Sequence, residues 1–341
     1  MSREATNDRP WMAWPGCATR DGMLATTPHR VKVGSTRAAT IAALFASGAC
    51  WSATAPQGDG ANKVLTTEGV LAVSTPSDWR PLDPQNTLYL ELPAGRVIIE
   101  LAPQFAPHHV ANIEALAREN YFDGSAVLRA QDNYVAQWGD ASGKKPLRAA
   151  HPTLSAEFER PSRGLSFAPL QDPDTYAPEA GFVDGFPAGR DPKFGRGWLI
   201  HCYGMVGAGR DNDVDSGGGT ELYAVIGQAP RHLDRNVTLV GRVVQGMELL
   251  SSLPRGTGPM GFYEKPEQRT LIKSMRVAAD VPEAQRMQLE ELRTDTPTWI
   301  AYVETRRNRH EEWFKVPAGR IDVCNVPPVV RPRALASSAA K

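Results

Sequence analysis

The stretch "VLRAQDNYVAQWGD", Val127–Asp140, contains two short runs of strand-like alternation on either side of an Asp-Asn turn. The first run carries Arg129 at a position where the alternation predicts an apolar or a small residue. An arginine in a strand, taken alone, is best explained by an exposed position in a surface ion pair. The segments around this hairpin therefore decide what Arg129 does.

Two elements are predicted before this hairpin. The segment "TLYLELPAGRVIIELA", residues 87–102, shows apolar alternation on both sides of a Pro-Ala-Gly turn and predicts another hairpin. The next segment, residues 106–121, has Pro107 at a first-turn position and apolar residues at helical spacing. A helix is therefore expected directly after the first hairpin.

Apolar alternation returns after residue 197. The segments "GWLIHCYGMVGAG", "TELYAVIG", "VTLVGRVVQGMELLSSL" and "RTLIKSMRVAAD" predict strands, and the third of them passes into a short helix near Met247. Many short strands, two helices and no regular alternation of strand and helix predict a mainly β fold. We expect a closed antiparallel barrel.

Composition divides the chain into four parts. Residues 51–84 are rich in Gly, Pro, Ser, Thr and Asp and are predicted to form a flexible linker. Residues 85–281 carry the barrel, interrupted by a long insertion at 141–197 that is rich in Gly, Pro and Asp. Residues 282–341 form a C-terminal extension, in which the segments 282–293 and 297–314 are predicted to be amphipathic helices.

Residues 1–50 have the layout of a secretory signal, and Met23 is a candidate for the true start. Basic residues precede the apolar run Ala38–Ala49, and small residues suited to cleavage follow it. The run is too short for a membrane span, so we expect an exported protein, periplasmic or secreted. A buried N-terminal helix and a lipid anchor on Cys50 are the alternatives.

The cysteine count bears on the same question. If Cys17 and Cys50 lie in the presequence, Cys202 and Cys324 are the remaining pair and a candidate disulfide. Two buried free thiols are the alternative, because the sequence does not give the distance between them.

Several function classes find no support in the sequence. The net charge is zero and the chain after residue 50 is slightly acidic, which argues against nucleic-acid binding. The segment "DNDVDSGGGTEL", Asp211–Leu222, begins like a calcium-binding loop but has Ser216 and Leu222 where Gly and Glu are required. The sequence predicts no metal site and no cofactor.

The order of the segments "GRVIIELAPQFAPHHVANIEALA", "VLRAQDNYVAQWGD", "GMVGAG", "TELYAVIG" and "HLDRNVTLVGRVVQGMELL" resembles a cyclophilin-type peptidyl-prolyl isomerase. The resemblance covers residues 87–280, apart from the enlarged insertion. It implies an eight-stranded antiparallel β-barrel closed by two helices, here with a helical C-terminal extension. It also implies a surface groove that binds proline-containing polypeptides.

The resemblance assigns roles to individual residues. Arg129 matches the catalytic arginine and Gln137 the glutamine that helps to hold it. Substrate-binding positions fall on Tyr134, Val135, Gly207, Glu221, Tyr223, His232 and Leu233. Four residues depart from the family's usual pattern, namely Leu128, Glu221, His232 and Val237.

The chemistry implied by this resemblance needs few groups. Rotation about an X–Pro bond crosses a barrier of about 18–20 kcal/mol, and no bond is made or broken. The twisted proline nitrogen regains a lone pair, to which a fixed guanidinium can donate a hydrogen bond. We therefore expect an exported, monomeric prolyl isomerase. The alternatives are a proline-binding or chaperone module without turnover and a scaffold whose C-terminal helices dock a partner.

Overall fold

The computed structural model describes residues 66–333, which contain four helices and sixteen strands. The predicted signal lies outside these residues. The helices are α1 (Thr67–Ala72), α2 (Pro107–Arg118), α3 (Met247–Ser251) and α4 (Pro297–Arg307). In chain order, the strands are β1 (Trp79–Pro81), β2 (Thr87–Leu92), β3 (Gly95–Leu101), β4 (Ala126–Ala130), β5 (Val135–Gly139), β6 (Arg160–Pro161), β7 (Phe167–Pro169), β8 (Glu179–Val183), β9 (Phe186–Asp191), β10 (Arg196–Leu199), β11 (Met205–Ala208), β12 (Glu221–Val225), β13 (Leu239–Gln245), β14 (Ser274–Val277), β15 (Leu289–Leu292) and β16 (Val330–Pro332).

The largest sheet has eight antiparallel strands in the order β14-β2-β3-β13-β11-β12-β5-β4. It is curled, and its concave side encloses an apolar core that includes Leu88, Ile99 and Trp138. Helix α2 packs Val110 and Ile113 into this core, and α3 contributes Leu250. The predicted mainly β fold with eight antiparallel strands and two packed helices is confirmed.

Backbone hydrogen bonds join the segment just before β14 to residues at the start of β4, at the opposite edge of the sheet. The amide of Gly124 donates to the carbonyl of Ile272 at 2.9 Å, and the amide of Ile272 donates to the carbonyl of Ser125 at 2.8 Å. The amide of Val127 also donates to the carbonyl of Thr270 at 2.8 Å. The segment before β14 therefore lies against the β4 edge, but β14 and β4 themselves are not paired in the order of the sheet. The sheet is a curled half-barrel, so the expected closed barrel is formed only in part.

The insertion at 141–197 contains strands instead of the expected loop. Strands β6 to β10 form a five-stranded antiparallel sheet in the order β6-β10-β9-β8-β7. Its strands are short and carry glycines where neighbouring groups approach closely. At Gly189, for example, a Cβ atom would lie 2.6 Å from the indole ring of Trp198. Such glycines interrupt the apolar alternation by which strands are predicted.

The prediction of a flexible linker over 51–84 is wrong for residues 66–84, and residues 51–65 lie outside the described part. Thr66 caps α1 by accepting a hydrogen bond from the amide of Gly69 at 3.2 Å. Strand β1 then pairs with β15. The apolar residues Val70 and Trp79, although widely spaced, are both buried. These contacts come from distant parts of the chain, so composition alone did not indicate them.

The C-terminal extension is helical only in part. Helix α4 confirms the second predicted helix over residues 297–307. The first predicted helix, over residues 282–293, is wrong, because Leu289–Leu292 forms the central strand of a three-stranded sheet, β1-β15-β16. The sequence Leu-Glu-Glu-Leu favours a helix by propensity. Pairing on both edges and burial of Leu289 and Leu292 outweigh that preference.

A second apolar core joins the insertion to the terminal segments. It contains Trp79 from β1, Phe182 and Trp198 from the insertion, and Trp299 and Tyr302 from α4. Cys202 and Cys324 lie in the same cluster and form a disulfide, with their Cα atoms 5.0 Å apart. The structure thus joins the two cysteines that the sequence analysis paired. Within residues 66–333, no helix combines the length and the hydropathy that a membrane span requires.

Candidate active site

Arg129 lies on β4 at a β-bulge. The register between β4 and β5 shifts between Val127 and Arg129, so Leu128 has no partner across the strands, whereas Arg129 lies opposite Gln137. A bulge changes the direction of a side chain relative to a regular strand. The bulge therefore explains why Arg129 breaks the alternation of apolar residues. The arginine is buried, with 7% of its surface exposed.

The guanidinium of Arg129 is held from three sides. Its Nε donates to the carbonyl oxygen of Met260 at 2.6 Å, its Nη1 donates to Oε1 of Gln137 at 3.4 Å, and its Nη2 donates to Oε1 of Gln131. The rings of Tyr134 and Phe262 lie beside it, each with its centroid 5.4 Å from Cζ. Burial lowers the pKa of Arg129 below the usual arginine range. An arginine so placed remains a charged donor with a fixed direction.

Gln137 connects the arginine to a carboxylate. Its Nε2 donates to Oε2 of Glu221 at 2.6 Å, which turns its Oε1 toward Arg129. Burial, together with the charges of Asp211 and Asp140, raises the pKa of Glu221 above the usual range, against the hydrogen bond from Gln137. Glu221 therefore fixes the orientation of the amide of Gln137.

An apolar cluster lies beside the arginine. It consists of Val135, Tyr223 and Val225, with Tyr134 and Val237 packed against it half-buried. Gly207 faces Tyr223 across β11 and β12, and a Cβ atom at this position would lie 2.3 Å from the tyrosine hydroxyl. The structure thus brings four of the predicted substrate-binding residues together, Tyr134, Val135, Gly207 and Tyr223.

Of the other three predicted residues, Glu221 contacts Gln137, whereas His232 and Leu233 lie on the turn Arg231–Leu233. The imidazole of His232 stacks on the ring of Tyr134, with centroids 6.5 Å apart and planes 6° apart. His232 is exposed and forms the rim of the apolar cluster. Leu233 is half-buried on the same turn and, among the described residues, does not belong to that cluster.

A buried polar chain behind the cluster was missed by the sequence analysis. The ring of His201, which is fully buried, lies with Nε2 2.9 Å from Oη of Tyr223 and Nδ1 2.9 Å from Oδ1 of Asp234. Arg231 donates from Nε to Oδ2 of Asp234 at 2.6 Å and from both Nη atoms to Asp174 in the insertion. A polar side chain within the apolar run "WLIHC" was the available signal.

The tautomer of His201 follows from its two hydrogen-bond partners, Asp234 and Tyr223. Because the carboxylate of Asp234 can only accept, Nδ1 of His201 carries the proton and Nε2 accepts from the hydroxyl of Tyr223. Burial lowers the pKa of His201 below the usual histidine range, although Asp234 acts in the opposite direction. The neutral imidazole thus holds Tyr223, in the floor of the cluster, to the turn that carries His232.

Met260 and Phe262 were also missed, since they lie 131 and 133 residues after Arg129. Met260 has a left-handed backbone, with φ of 56°, in the turn Pro259–Gly261 that presents its carbonyl to Arg129. Among residues 66–333, no group of three or more His, Cys, Asp or Glu side chains is arranged to hold a metal ion. The arrangement as a whole is a fixed cationic donor beside an apolar cluster that contains aromatic side chains.

Comparison with known proteins agrees with this geometry. The chain is 28% identical over 175 residues to a probable peptidyl-prolyl cis-trans isomerase of Brucella suis, covering 51% of this chain and 74% of the relative. It is 26% identical over 182 residues to human peptidyl-prolyl cis-trans isomerase-like 1, covering 53% and 84%.

Among solved structures, it is similar to cyclophilin AquaCyp293 from Hirschia baltica, with a TM-score of 0.63, 27% identity and coverage of 79% of this chain and 99% of the other. The model of the family described as cyclophilin type peptidyl-prolyl cis-trans isomerase/CLD matches residues 87–277. With more than half of its length matched in this way, the chain belongs to the cyclophilin-type peptidyl-prolyl cis-trans isomerase family.

Proposed function

We propose that this protein accelerates cis-trans rotation about X–Pro bonds in polypeptides. The observation that carries the proposal is the position of Arg129, whose guanidinium is fixed by Gln137, Gln131 and the carbonyl of Met260 beside the cluster of Val135, Tyr223 and Val225. A proline ring seated on that cluster brings its nitrogen toward the guanidinium.

The reduction in activation free energy that the proposed reaction needs can come from one arginine and an apolar cluster. Lowering an exchange time from about 100 s to milliseconds takes about five powers of ten, or roughly 7 kcal/mol. The single hydrogen bond from Arg129 supplies about 1.5–3 kcal/mol as a charged hydrogen bond, or about 2.7–4 kcal/mol if the donor is preorganised toward the developing charge. Contacts that orient the proline ring on the apolar cluster supply the rest. The twisted amide is thus bound better than the planar one, which is the requirement for catalysis without a nucleophile.

The arginine itself favours a second candidate function, a module that binds proline segments without turnover. Each of the three nitrogen atoms of Arg129 already faces an acceptor within the protein, and the side chain is almost completely buried. A guanidinium has five N–H groups, so two remain after these three hydrogen bonds. Turnover requires one of the two to face the proline nitrogen.

A protease-coupled assay on proline tetrapeptides separates the two functions. We expect the full chain to accelerate the slow phase for several residues before proline, with a rate proportional to enzyme concentration. Binding of the same peptides by isothermal titration calorimetry without any acceleration would establish the binding module instead.

We further propose that the protein acts outside the cytoplasm. The basic and apolar layout of residues 30–55 supports this location, and so does the Cys202–Cys324 disulfide, since such bonds persist mainly in oxidising compartments. N-terminal sequencing of protein from its native host is expected to find a mature chain that starts between about residues 49 and 56. A cytoplasmic protein that retains Met1 or Met23 would contradict the proposal.

A further inference from the structure

A polar groove lies next to the apolar cluster of the candidate active site. Its volume is about 630 Å³, and its walls come from the insertion and from the turn that begins at Arg231. The residues that line it include Glu159, Arg196, His232 and Arg235. His232 belongs to both sites, because it lines the groove and stacks on Tyr134 at the rim of the cluster.

Two arginines in this groove share one carboxylate. Arg196 donates from Nε to Oε1 of Glu159, and Arg235 donates from Nε to Oε2, both at 2.7 Å. Within residues 66–333 neither guanidinium makes another hydrogen bond, so their Nη groups have no protein acceptor there. Their side chains are 37% and 52% exposed, which leaves those groups open to a ligand.

The charge of the groove follows from this sharing. Burial opposes ionisation of Glu159, but the hydrogen bonds from Arg196 and Arg235 outweigh it and hold the pKa of Glu159 below its usual range. The set of two arginines and one carboxylate is therefore net positive at neutral pH. Arg231 pairs with both Asp174 and Asp234, so that second set carries one net negative charge. The positive charge of the groove is therefore local to the exposed guanidinium groups of Arg196 and Arg235.

Arg235 is also held in an uncommon backbone conformation. Its φ is 61°, a left-handed value that is unfavourable for a residue with a Cβ atom, and its guanidinium lies 5.0 Å from the centre of the ring of Trp198. Backbone strain of this kind costs about 1–3 kcal/mol and is concentrated at functional sites. Here the strained residue is Arg235. Its guanidinium lines the groove, and within residues 66–333 only its Nε donates a hydrogen bond.

We propose that this groove extends the substrate site and binds an acidic side chain of the same proline-containing polypeptide, with its carboxylate between Arg196 and Arg235. Arginine forks match carboxylates in geometry and form strong charge-assisted hydrogen bonds with them. The inference rests on the proposed function and adds a substrate class to it, polypeptides that carry Asp or Glu near the proline.

The test uses peptides with one proline and a Glu or a Gln at each of the four positions on either side. Isothermal titration calorimetry measures binding, and exchange NMR spectroscopy measures the rate of cis-trans exchange. We expect at least one position at which Glu binds five-fold or more tightly than Gln at low salt. In the double variant Arg196→Gln/Arg235→Gln that ratio is expected to fall to about one.

Arg190→Gln is the matched control, because Arg190 is an insertion arginine paired with Glu179 outside the groove lining. It should keep the Glu preference of the wild-type protein. Ratios below two at every position would overturn the inference, as would a preference that survives in the double variant. Equally tight binding of a proline-free acidic peptide would also overturn it. Absence of accelerated exchange for all peptides refutes the proposed function instead, and the binding data then still decide on the groove.

Discussion

Arg129 is a charged side chain withdrawn almost completely from water, and three acceptors compensate its lost hydration. An arginine fixed in this way loses little freedom when a substrate binds, so most of its hydrogen-bond energy is available to the twisted amide. A flexible surface arginine would first have to be ordered. The fixed position of Arg129 therefore suits turnover if one of its two remaining N–H groups faces the proline nitrogen.

The first prediction concerns this residue. Arg129→Ala is expected to lower kcat/KM on proline peptides by about 10- to 100-fold, because the loss of one charged hydrogen bond amounts to about 1.5–3 kcal/mol. Circular dichroism should show an unchanged fold. Arg118→Ala, which removes a half-exposed surface arginine of α2, serves as the control and should keep full activity. Unchanged turnover in pure Arg129→Ala would remove this arginine from the mechanism.

The second prediction separates the ring of Tyr223 from its hydroxyl. Tyr223→Phe keeps the aromatic floor of the cluster but leaves Nε2 of His201 buried without its donor. We expect the free energy of unfolding to fall by about 1–3 kcal/mol and kcat/KM to change by less than about threefold. Urea denaturation and the peptide assay measure the two effects. Tyr203→Phe is the control, since Tyr203 is half exposed and makes no side-chain hydrogen bond within residues 66–333.

Local sequence patterns identified some residues of the candidate active site and missed others. Arg129, Tyr134, Val135 and Gln137 lie within one hairpin, so their spacing in the sequence carries their arrangement in space. His201 could not be assigned a partner, because the chain between it and Asp234 gives no sign that they meet. The carbonyl of Met260 has no sequence signature at all.

Among the elements, the added segments depend on one another more than on the curled sheet. Helix α1 packs on α4, β1 pairs with β15, and the five-stranded sheet buries Phe182 and Trp198 against Trp299 and Tyr302. Each of these segments is too short to form a core alone. This is why they were predicted as a linker, a loop and an appendage: their apolar residues show a regular pattern only after the segments have come together.

The third prediction concerns the covalent connection between these elements. The Cys202–Cys324 bond spans 122 residues, and a cross-link of that length is worth about 4–5 kcal/mol in the chain-entropy account. Cys202→Ser/Cys324→Ser is therefore expected to lose a few kcal/mol of unfolding free energy. Faster amide hydrogen exchange should appear first in residues 308–333, which follow α4 and contain little regular structure.

The same bond can be checked in the wild-type protein. Alkylation of unreduced protein from its native compartment, followed by mass spectrometry, should find neither Cys202 nor Cys324 modified. Two alkylated thiols would mean that the bond does not form in the cell. An unchanged unfolding free energy in the double variant would show that packing alone holds the C-terminal segment.

Over the whole molecule, all three sheets meet at a buried ionic cluster. Arg80 on β1, Glu100 on β3, Arg242 on β13 and Glu291 on β15 contact one another, and the carbonyl of Gly185 in the insertion accepts from Arg242. The eight antiparallel strands of the curled sheet could be predicted from alternation and family resemblance. This cluster could not, because its members come from four segments and burial of charge is rare enough that sequence patterns do not indicate it.

The two carboxylates of the cluster are not equivalent. Burial disfavours the charge of Glu100, but Arg242 and Arg80 outweigh it and hold the pKa of Glu100 below the usual range. Oε1 of Glu291 is buried without a donor within residues 66–333. Burial, reinforced by the charge of Glu100 and only partly opposed by Arg242, raises the pKa of Glu291 to about 7. Glu291 therefore takes up a proton in the folded protein well before it does so in the unfolded chain.

The fourth prediction follows from the sign of that shift. Between about pH 4.5 and pH 7 the folded protein binds more protons at Glu291 than the unfolded chain does, so its stability falls as the pH rises through this window. The contribution is up to about 3 kcal/mol, at 1.36 kcal/mol for each pKa unit.

Glu291→Gln lacks the titrating group. The unfolding free energy of the wild-type protein minus that of the variant should therefore decrease by this amount from pH 4.5 to pH 7.5, measured by urea denaturation. Glu290→Gln, which changes the neighbouring residue on β15 that pairs with Arg331, is the control for a substitution on this strand. Parallel profiles for the wild-type protein and Glu291→Gln would show that Glu291 stays ionised throughout and that the two arginines neutralise both carboxylates equally.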